Sequence, residues 1–145
     1  MSFLDSLNIS GSALTAQKLR MDVISSNIAN ASTTRTDEGG PYRRKLVVLS
    51  EATNDSFSGV MNSLTQNENI GGVEVSAIVE DQSDFKPVYD PDNPAADANG
   101  YVMMPNVDTV DEMVDMMSAS RSYEASITAF NAVKLMATKA LDIGR

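Results

Sequence analysis

The sequence predicts an α+β chain: long N- and C-terminal helices pair as a coiled-coil-like layer, and a small β-rich middle domain lies between them. Three observations carry this. Leu7, Leu14, Met21 and Ile28 fall seven residues apart in the first segment, with Leu4 on the same face. Alternating steps of three and four through the last segment land on Met113, Met116, Ser120, Tyr123, Ile127, Phe130, Lys134, Ala137 and Leu141, and seven of those nine are apolar. Between them runs a stretch rich in Gly, Pro, Asn and Asp. Each stripe puts an apolar seam on one helix face, which calls for a partner helix. The chain therefore divides at residues 1–31, 32–106 and 107–145 into an N-terminal helix, a β-rich middle domain with loops, and a C-terminal helix.

Residues 3–30 read as helix, weakened at Gly11 by about 1 kcal/mol relative to Ala. Its polar face holds Ser, Asn, Thr and Gln, and only Asp5, Lys18, Arg20 and Asp22 are charged. Uncharged polar residues suit a helix touched on several sides. Asn30 to Thr36 ends the helix, and Gly39-Gly40-Pro41 is a turn. Tyr42 to Leu49 reads as a strand by its β-branched and aromatic content. Residues 50–70 read as a poorly packed loop, rich in Asn and Ser. Val73 to Val79 alternates as a second strand; Lys86 to Tyr89 is extended, Asp90 to Gly100 is a loop, and Tyr101 to Met104 is a short strand. Thr109-Val110-Asp111-Glu112 then fits a capping box, and no Gly or Pro interrupts the chain between Asn106 and Ile143.

Charge separates the same three parts. The 145 residues carry 20 acidic and 11 basic groups, a net charge of −9, of which residues 37–106 hold −8. That balance argues against a nucleic-acid binder, which must neutralise phosphates. Cys, His and Trp are absent, so thiolate metal sites and the usual nucleophile–base pairs have no residues to use. No stretch approaches the ~18 consecutive apolar residues of a membrane span. The first basic residue is Lys18, so the N-terminus lacks the charged start of a cleaved secretory signal. The expectation is a cytosolic protein, or one exported without a cleaved signal.

Three local patterns invite a site and point elsewhere. Asp90 to Gly100 resembles a calcium loop in composition, but counting from Asp90 puts Pro94 at the fifth position and Tyr101 at the twelfth, where an EF-hand needs ligands. The Met groups (Met103-Met104; Met113, Met116, Met117) suit an adaptable core or interface. Arg43-Arg44-Lys45 is too short for a nucleic-acid site and suits salt bridges or an acidic neighbour. Side chains alternate along a strand, so Arg43 and Lys45 are expected on one face with Arg44 opposite. Their acidic partners are expected on an adjacent subunit or in the Asp90–Asp97 loop. No catalytic, metal or cofactor site emerges, and the chain is expected not to be an enzyme.

The motif SGSALTAQKLRMDVISSNIANAST (10–33) resembles the terminal signature of bacterial flagellar rod and hook proteins. GGPYRRKLVVL (39–49), GGVEVSAIVEDQSDFKPVYDPDNPAAD (71–97), GYVMMPNVDTVDEMVDMMSASRSYEASITAFNAVKLM (100–136) and ALDIGR (140–145) narrow the likeness to the proximal rod. Asn93 stands where many relatives carry His, and the turn after Asn30 lacks the TPGY-like ending of hook-type members. The resemblance implies a structural subunit exported by the flagellar type III apparatus. It implies assembly with FlgB, FlgF, FlgG, FliE and copies of itself into the periplasmic drive shaft that transmits torque. The terminal helices would form the inner layer of that shaft, with no membrane insertion and no cofactor. Candidate subunit-interface residues are Leu7, Leu14, Met21, Ile28, Arg43, Lys45, Met116, Tyr123, Ile127 and Phe130. The competing class is a soluble coiled-coil adaptor or secretion chaperone, which has no use for the PYRRKLVVL strand or the YDPDNPAAD loop.

Overall fold

The computed structural model describes residues 3–37, 39–52 and 71–143. The order of elements is α1 (Phe3–Ala29), β1 (Lys45–Glu51), β2 (Val73–Glu80), β3 (Lys86–Tyr89), β4 (Tyr101–Met104) and α2 (Thr109–Ile143). The architecture is the expected α+β one: two long helices bracket two small antiparallel sheets, β1–β2 and β3–β4. The loop expected over 50–70 lies outside the described residues from 53 onward. No helix among the described residues is long and apolar enough to cross a membrane.

The helices pair antiparallel. Asn27, near the end of α1, bonds Glu112 near the start of α2, and Arg20 one to two turns back reaches Asp115. Both helices carry many hydroxyls, which their own backbones satisfy. Ser10 donates to the Ser6 carbonyl, Thr15 to Gly11, Ser122 to Ser118 and Ser126 to Ser122, at 2.9–3.1 Å. Back-bonding of this kind lets Ser and Thr lie inside a helical layer without an unpaired group. Running the pairing backward from Asn27 brings the first turn of α1 opposite residues near Leu135. The last turns of α2 therefore overhang by roughly 10 Å.

The seam keeps five of the nine sequence-predicted positions on α2 and adds positions one residue before three of the others. On α2 the less exposed positions are Glu112, Asp115, Met116, Ala119, Ser120, Tyr123, Ser126, Phe130, Val133 and Ala137. Met116, Ser120, Tyr123, Phe130 and Ala137 belong to the expected stripe. Met113, Lys134 and Leu141 are exposed, and Ile127 is 37% exposed. Small Ala119, 0% exposed, and acidic Glu112, 1% exposed, take the deepest places. On α1 the deepest are Ala16, Val23, Ile24 and Asn27. Apolar content did not mark Ala119 and Glu112, because close helix approach selects a small residue and a hydrogen-bonded pair selects polar ones.

Local chemistry at the element ends also differs from expectation. The first strand begins at Lys45, not Tyr42, because residues 33–42 fold back. Tyr42 N–H donates to Thr33 O at 3.0 Å and Thr36 N–H to Gly40 O at 2.9 Å. Gly39 and Gly40 hold φ of +83° and +96° there, a region costly for side-chain-bearing residues. The cap of α2 is Asp108, whose Oδ1 accepts from Val110 N–H at 3.0 Å. Thr109 is thus the first helical residue. Glu112 points away from the helix end that a capping box would have it close.

β1 and β2 pair from Lys45↔Glu80 to Glu51↔Val73, with a bulge at Val48/Leu49. Ser76 is the extra residue, and its hydroxyl donates to Val48 O at 3.1 Å. The sheet leans on α1 where β2 begins: Val73 N–H donates to Ser12 Oγ at 3.1 Å, and Ser12 donates in turn to Ile9 O at 2.9 Å. A Cβ at Gly72 would overlap Ser12 Oγ, and one at Gly71 would overlap the Ala52 carbonyl. Gly72→Ala should therefore destabilise the chain by about 1–3 kcal/mol, read as a lower urea midpoint. A shift under a few tenths of a kcal/mol would mean that the sheet is not seated on α1.

Candidate functional site: a polar junction and an uncovered helix face

Three parts of the chain meet at Asn27. Its Oδ1 accepts from Tyr42 Oη at 3.0 Å and from Lys45 N–H at 2.9 Å. Its Nδ2 donates to Lys45 O at 2.9 Å and to Glu112 Oε2 at 3.0 Å. All four hydrogen-bonding capacities of the amide are used, and the side chain is 0% exposed. Toward Lys45 the amide acts as a strand neighbour would, bonding both backbone groups of one residue. The β region is thereby fixed to the helix pair by a side chain on the helix seam.

Glu112 extends the junction. Its Oε1 accepts from Arg44 Nε at 2.5 Å, and Arg44 also reaches Asp115 Oδ2 at 3.4 Å and Asp81 Oδ2 at 4.0 Å. Arg44 N–H donates to Asn106 Oδ1 at 2.8 Å, and Asn106 Nδ2 donates to Asp81 O and to Ser83. Burying Glu112 is tolerable because both its oxygens are bonded and one meets a guanidinium; removing one partner of such a pair costs about 3–5 kcal/mol. Arg44 thus finds its acids on α2 and beside β2, and not in the Asp90–Asp97 loop. That loop closes on itself: Asn93 Oδ1 accepts from Ala95 N–H at 3.1 Å, and Asn93 Nδ2 donates to Asp90 Oδ2 at 3.3 Å.

Two carboxylates at the rim are held low. The Ser83 backbone N–H and hydroxyl, then the Arg44 and Arg43 charges, keep Asp81 below the usual carboxylate range. The Val110 N–H and then Lys86, at 3.4 Å, do the same for Asp108. A depressed folded-state value means stability that is complete above the unfolded value of about 4 and is lost as pH falls through the folded one. Acidification below pH 4 should loosen the α2 cap, whereas raising pH from 7 to 9 should leave it unchanged through these groups. Carboxyl chemical shifts followed against pH should show the midpoints of Asp81 and Asp108 below the ordinary Asp value of about 3.9; midpoints at or above that value would contradict this.

The sequence-predicted interface residues fall into separate places. Leu7, Leu14, Met21 and Ile28 are half-buried. They lie about 90° around α1 from the positions facing α2, at 100° per residue. The sheet touches α1 on the other flank, at Ser12. On α2 the flank toward the β region carries Asp115, and the opposite flank carries Met113 and Ile127, 53% and 37% exposed. The β1–β2 sheet thus covers one flank of α1. At 100° per residue, the side of the helix pair away from the sheet carries Leu14 and Met21 of α1 and Met113 and Ile127 of α2, the two walls of an apolar groove inferred from helix geometry. Val110 and Met117 continue it outward, 67% and 55% exposed.

Met116, Tyr123 and Phe130 are half-buried on the seam itself. Arg43 stacks over Phe85, 4.4 Å from the ring centroid, and donates to Asp81 O at 3.2 Å. Lys45 is exposed, with its ammonium 5.8 Å from the Tyr42 ring centroid. Both line an open cleft with Asp37, Glu80 and Phe85. Asn27, Tyr42, Asn106 and Glu112 were missed by the sequence reading. A polar residue seven positions after Arg20 and four after Val23 was the available signal for Asn27.

Comparison with known proteins finds matches at both ends of the chain and across its whole length. Residues 7–35 match the family described as flagella basal body rod protein, and residues 98–143 match the flagellar basal body rod FlgEFG protein C-terminal family. The flagellar basal-body rod protein FlgC of Bacillus subtilis is 55% identical over 151 aligned positions, covering 100% of both chains. That of Salmonella typhimurium is 48% identical, again over 100% of both. That of Borreliella burgdorferi is 46% identical over 99% of this chain and 98% of its own. At this identity over its whole length, the chain belongs to the FlgC family of flagellar basal-body rod proteins.

Proposed function

We propose that the chain builds the proximal part of the rod, assembling with FlgB, FlgF, FlgG, FliE and further copies of itself into the periplasmic shaft that carries motor torque. Family membership makes it a structural component of the basal-body rod. The observation that supports the finer reading is the apolar groove left open on the helix pair. A protein that buries only Ala16, Val23, Ile24, Tyr42, Val102, Val107 and Ala119 as its described apolar core, yet exposes this groove, is built to bury more surface among neighbours. In this reading residues 1–31 and 107–145 are the rod-core helices and residues 32–106 the outer domain. Leu7, Leu14, Met21, Ile28 and Ile127 meet adjacent subunits, while Met116, Tyr123 and Phe130 hold the helix pair in shape for them. Arg43 and Lys45 contribute at the outer cleft. The role is mechanical and not catalytic, and export proceeds through the flagellar type III apparatus with the N-terminus uncleaved.

The test is incorporation. A tagged chain expressed in flagellated cells should remain with basal bodies after detergent extraction of both membranes, and should be found in the rod segment. Recovery solely as a soluble dimer would favour the adaptor or chaperone class instead.

A further inference from the structure

The first turns of α2 carry an apolar stripe that the helix pair does not use. Val110, Met113, Val114 and Met117 recur at i, i+3, i+4 and i+7, the spacing of one helix face, and all four are more than half exposed. On the other side of the same turns, Glu112 is buried against Asn27 of α1, and Met116 is half-buried one turn further on. Met113 and Met117, at 53% and 55% exposure, therefore leave two thioether side chains open to solvent, one turn apart. The chain has no Cys, so methionines are its remaining sulfur targets for a peroxide.

We propose that Met113 and Met117 form a peroxide-sensitive modification site that decides whether a free subunit can enter the assembly. The thioether sulfur attacks one oxygen of hydrogen peroxide; an S–O bond forms as the O–O bond breaks, and water leaves. Sulfur is oxidised by two electrons to the sulfoxide, and the peroxide is reduced by two. The product is polar where the thioether was apolar, a change that disrupts Met-rich interfaces. On Met113, a wall of the groove, and on Met117, which continues it, a covering neighbour would bury the new oxygens without donors. A thiol-dependent reductase reverses the step, two thiols becoming a disulfide as water leaves. The site acts on the subunit before assembly, because a covered groove shields the same sulfurs. The inference rests on the reading of that groove as a subunit contact. Met103 and Met136, also exposed, lie on β4 and more than five turns further along α2, so their oxidation has no such consequence.

Hydrogen peroxide is the probe. In the purified full chain, peptide mass spectrometry over a dilute-peroxide time course should show Met113 and Met117 oxidised about threefold or more faster than Met116, which shares their turns but sits on the seam. Equal rates would overturn the site. In flagellated cells, the unaltered chain and Met113→Leu/Met117→Leu, differently tagged and co-expressed, should enter basal bodies equally in the absence of peroxide. Sublethal peroxide should shift the ratio about threefold or more toward the Leu chain, which still carries Met103 and Met136. An unchanged ratio counts against the proposal. Met113→Gln/Met117→Gln, which holds the polarity of the sulfoxide permanently, should keep a normal urea midpoint and incorporate about tenfold less. If it incorporates normally while Leu14→Asp/Met21→Asp on the facing wall is excluded, the oxidation site alone is wrong. If both pairs incorporate normally, the groove reading fails with it.

Discussion

Asn27→Ala should lower the unfolding free energy of the purified chain by about 3–5 kcal/mol. The substitution removes four hydrogen bonds at once. It leaves both backbone groups of Lys45, the Tyr42 hydroxyl and one oxygen of the buried Glu112 without a protein partner. Each unsatisfied buried group costs about 1–3 kcal/mol, more when charged. Water entering the cavity offsets part of this, which is why the estimate is below the sum. A domain's whole stability is about 5–15 kcal/mol, so the variant should be near unfolding at 37 °C. Asn27→Asp should be no milder, since it loses both donors and sets a second carboxylate against Glu112. Urea titration of the three chains checks this. A loss under about 1 kcal/mol for Asn27→Ala would mean that the β region is held to the helices by something other than this amide.

Leu14→Asp/Met21→Asp should abolish rod assembly while the chain stays folded. Both side chains are half-buried on the flank of α1 away from the sheet, so charge there can remain solvated in the free subunit. In an assembly that covers the groove the same carboxylates would be desolvated without partners, at a cost of several kcal/mol each. Repeated at every copy, that cost should leave cells non-motile with incorporation below detection. The purified variant should keep a urea midpoint close to that of the unaltered chain. Phe130→Asp is the contrasting change. It strikes the seam between the helices and should lower stability and assembly together. Normal swimming by the double variant would show that the groove faces solvent in the rod.

Much of the fold was legible because its signals are local. The unbroken run from Asn106 to Ile143, the β-branched segments and the turn residues place all six elements within three residues of their observed bounds. The exception in kind was Tyr42 to Arg44, read as strand from residue composition. It is instead the return of a loop that brings Tyr42 to Asn27 and Arg44 to Glu112. The junction was illegible because each member has a plausible local role. Glu112 reads as part of a capping box, Asn27 as one of several polar helix residues, and Arg44 as a surface charge. Only their meeting in three dimensions assigns them.

The apolar heptads were legible, and the small and polar residues of the helix contact were not. The heptads are read as marking contacts with neighbouring subunits and also the contact between the two helices within one chain. In the structure, that contact is made largely by Ala16, Val23, Asn27, Glu112 and Ala119, whose small or polar side chains give little periodic signal. The larger residues at Leu7, Leu14, Met21 and Ile28, with Met113 and Ile127, were thereby left for the flank. A stripe wider than one seam is what a helix needs when it packs on more than one side.

The central claim is that this flank is where neighbouring subunits bind. A density map of the assembled rod at side-chain detail tests it most directly. The account predicts a helix from an adjacent subunit lying in the groove, with apolar side chains within about 4.5 Å of Leu14, Met21 and Met113. Solvent against these three residues, with subunits joined solely through the β region, would contradict it.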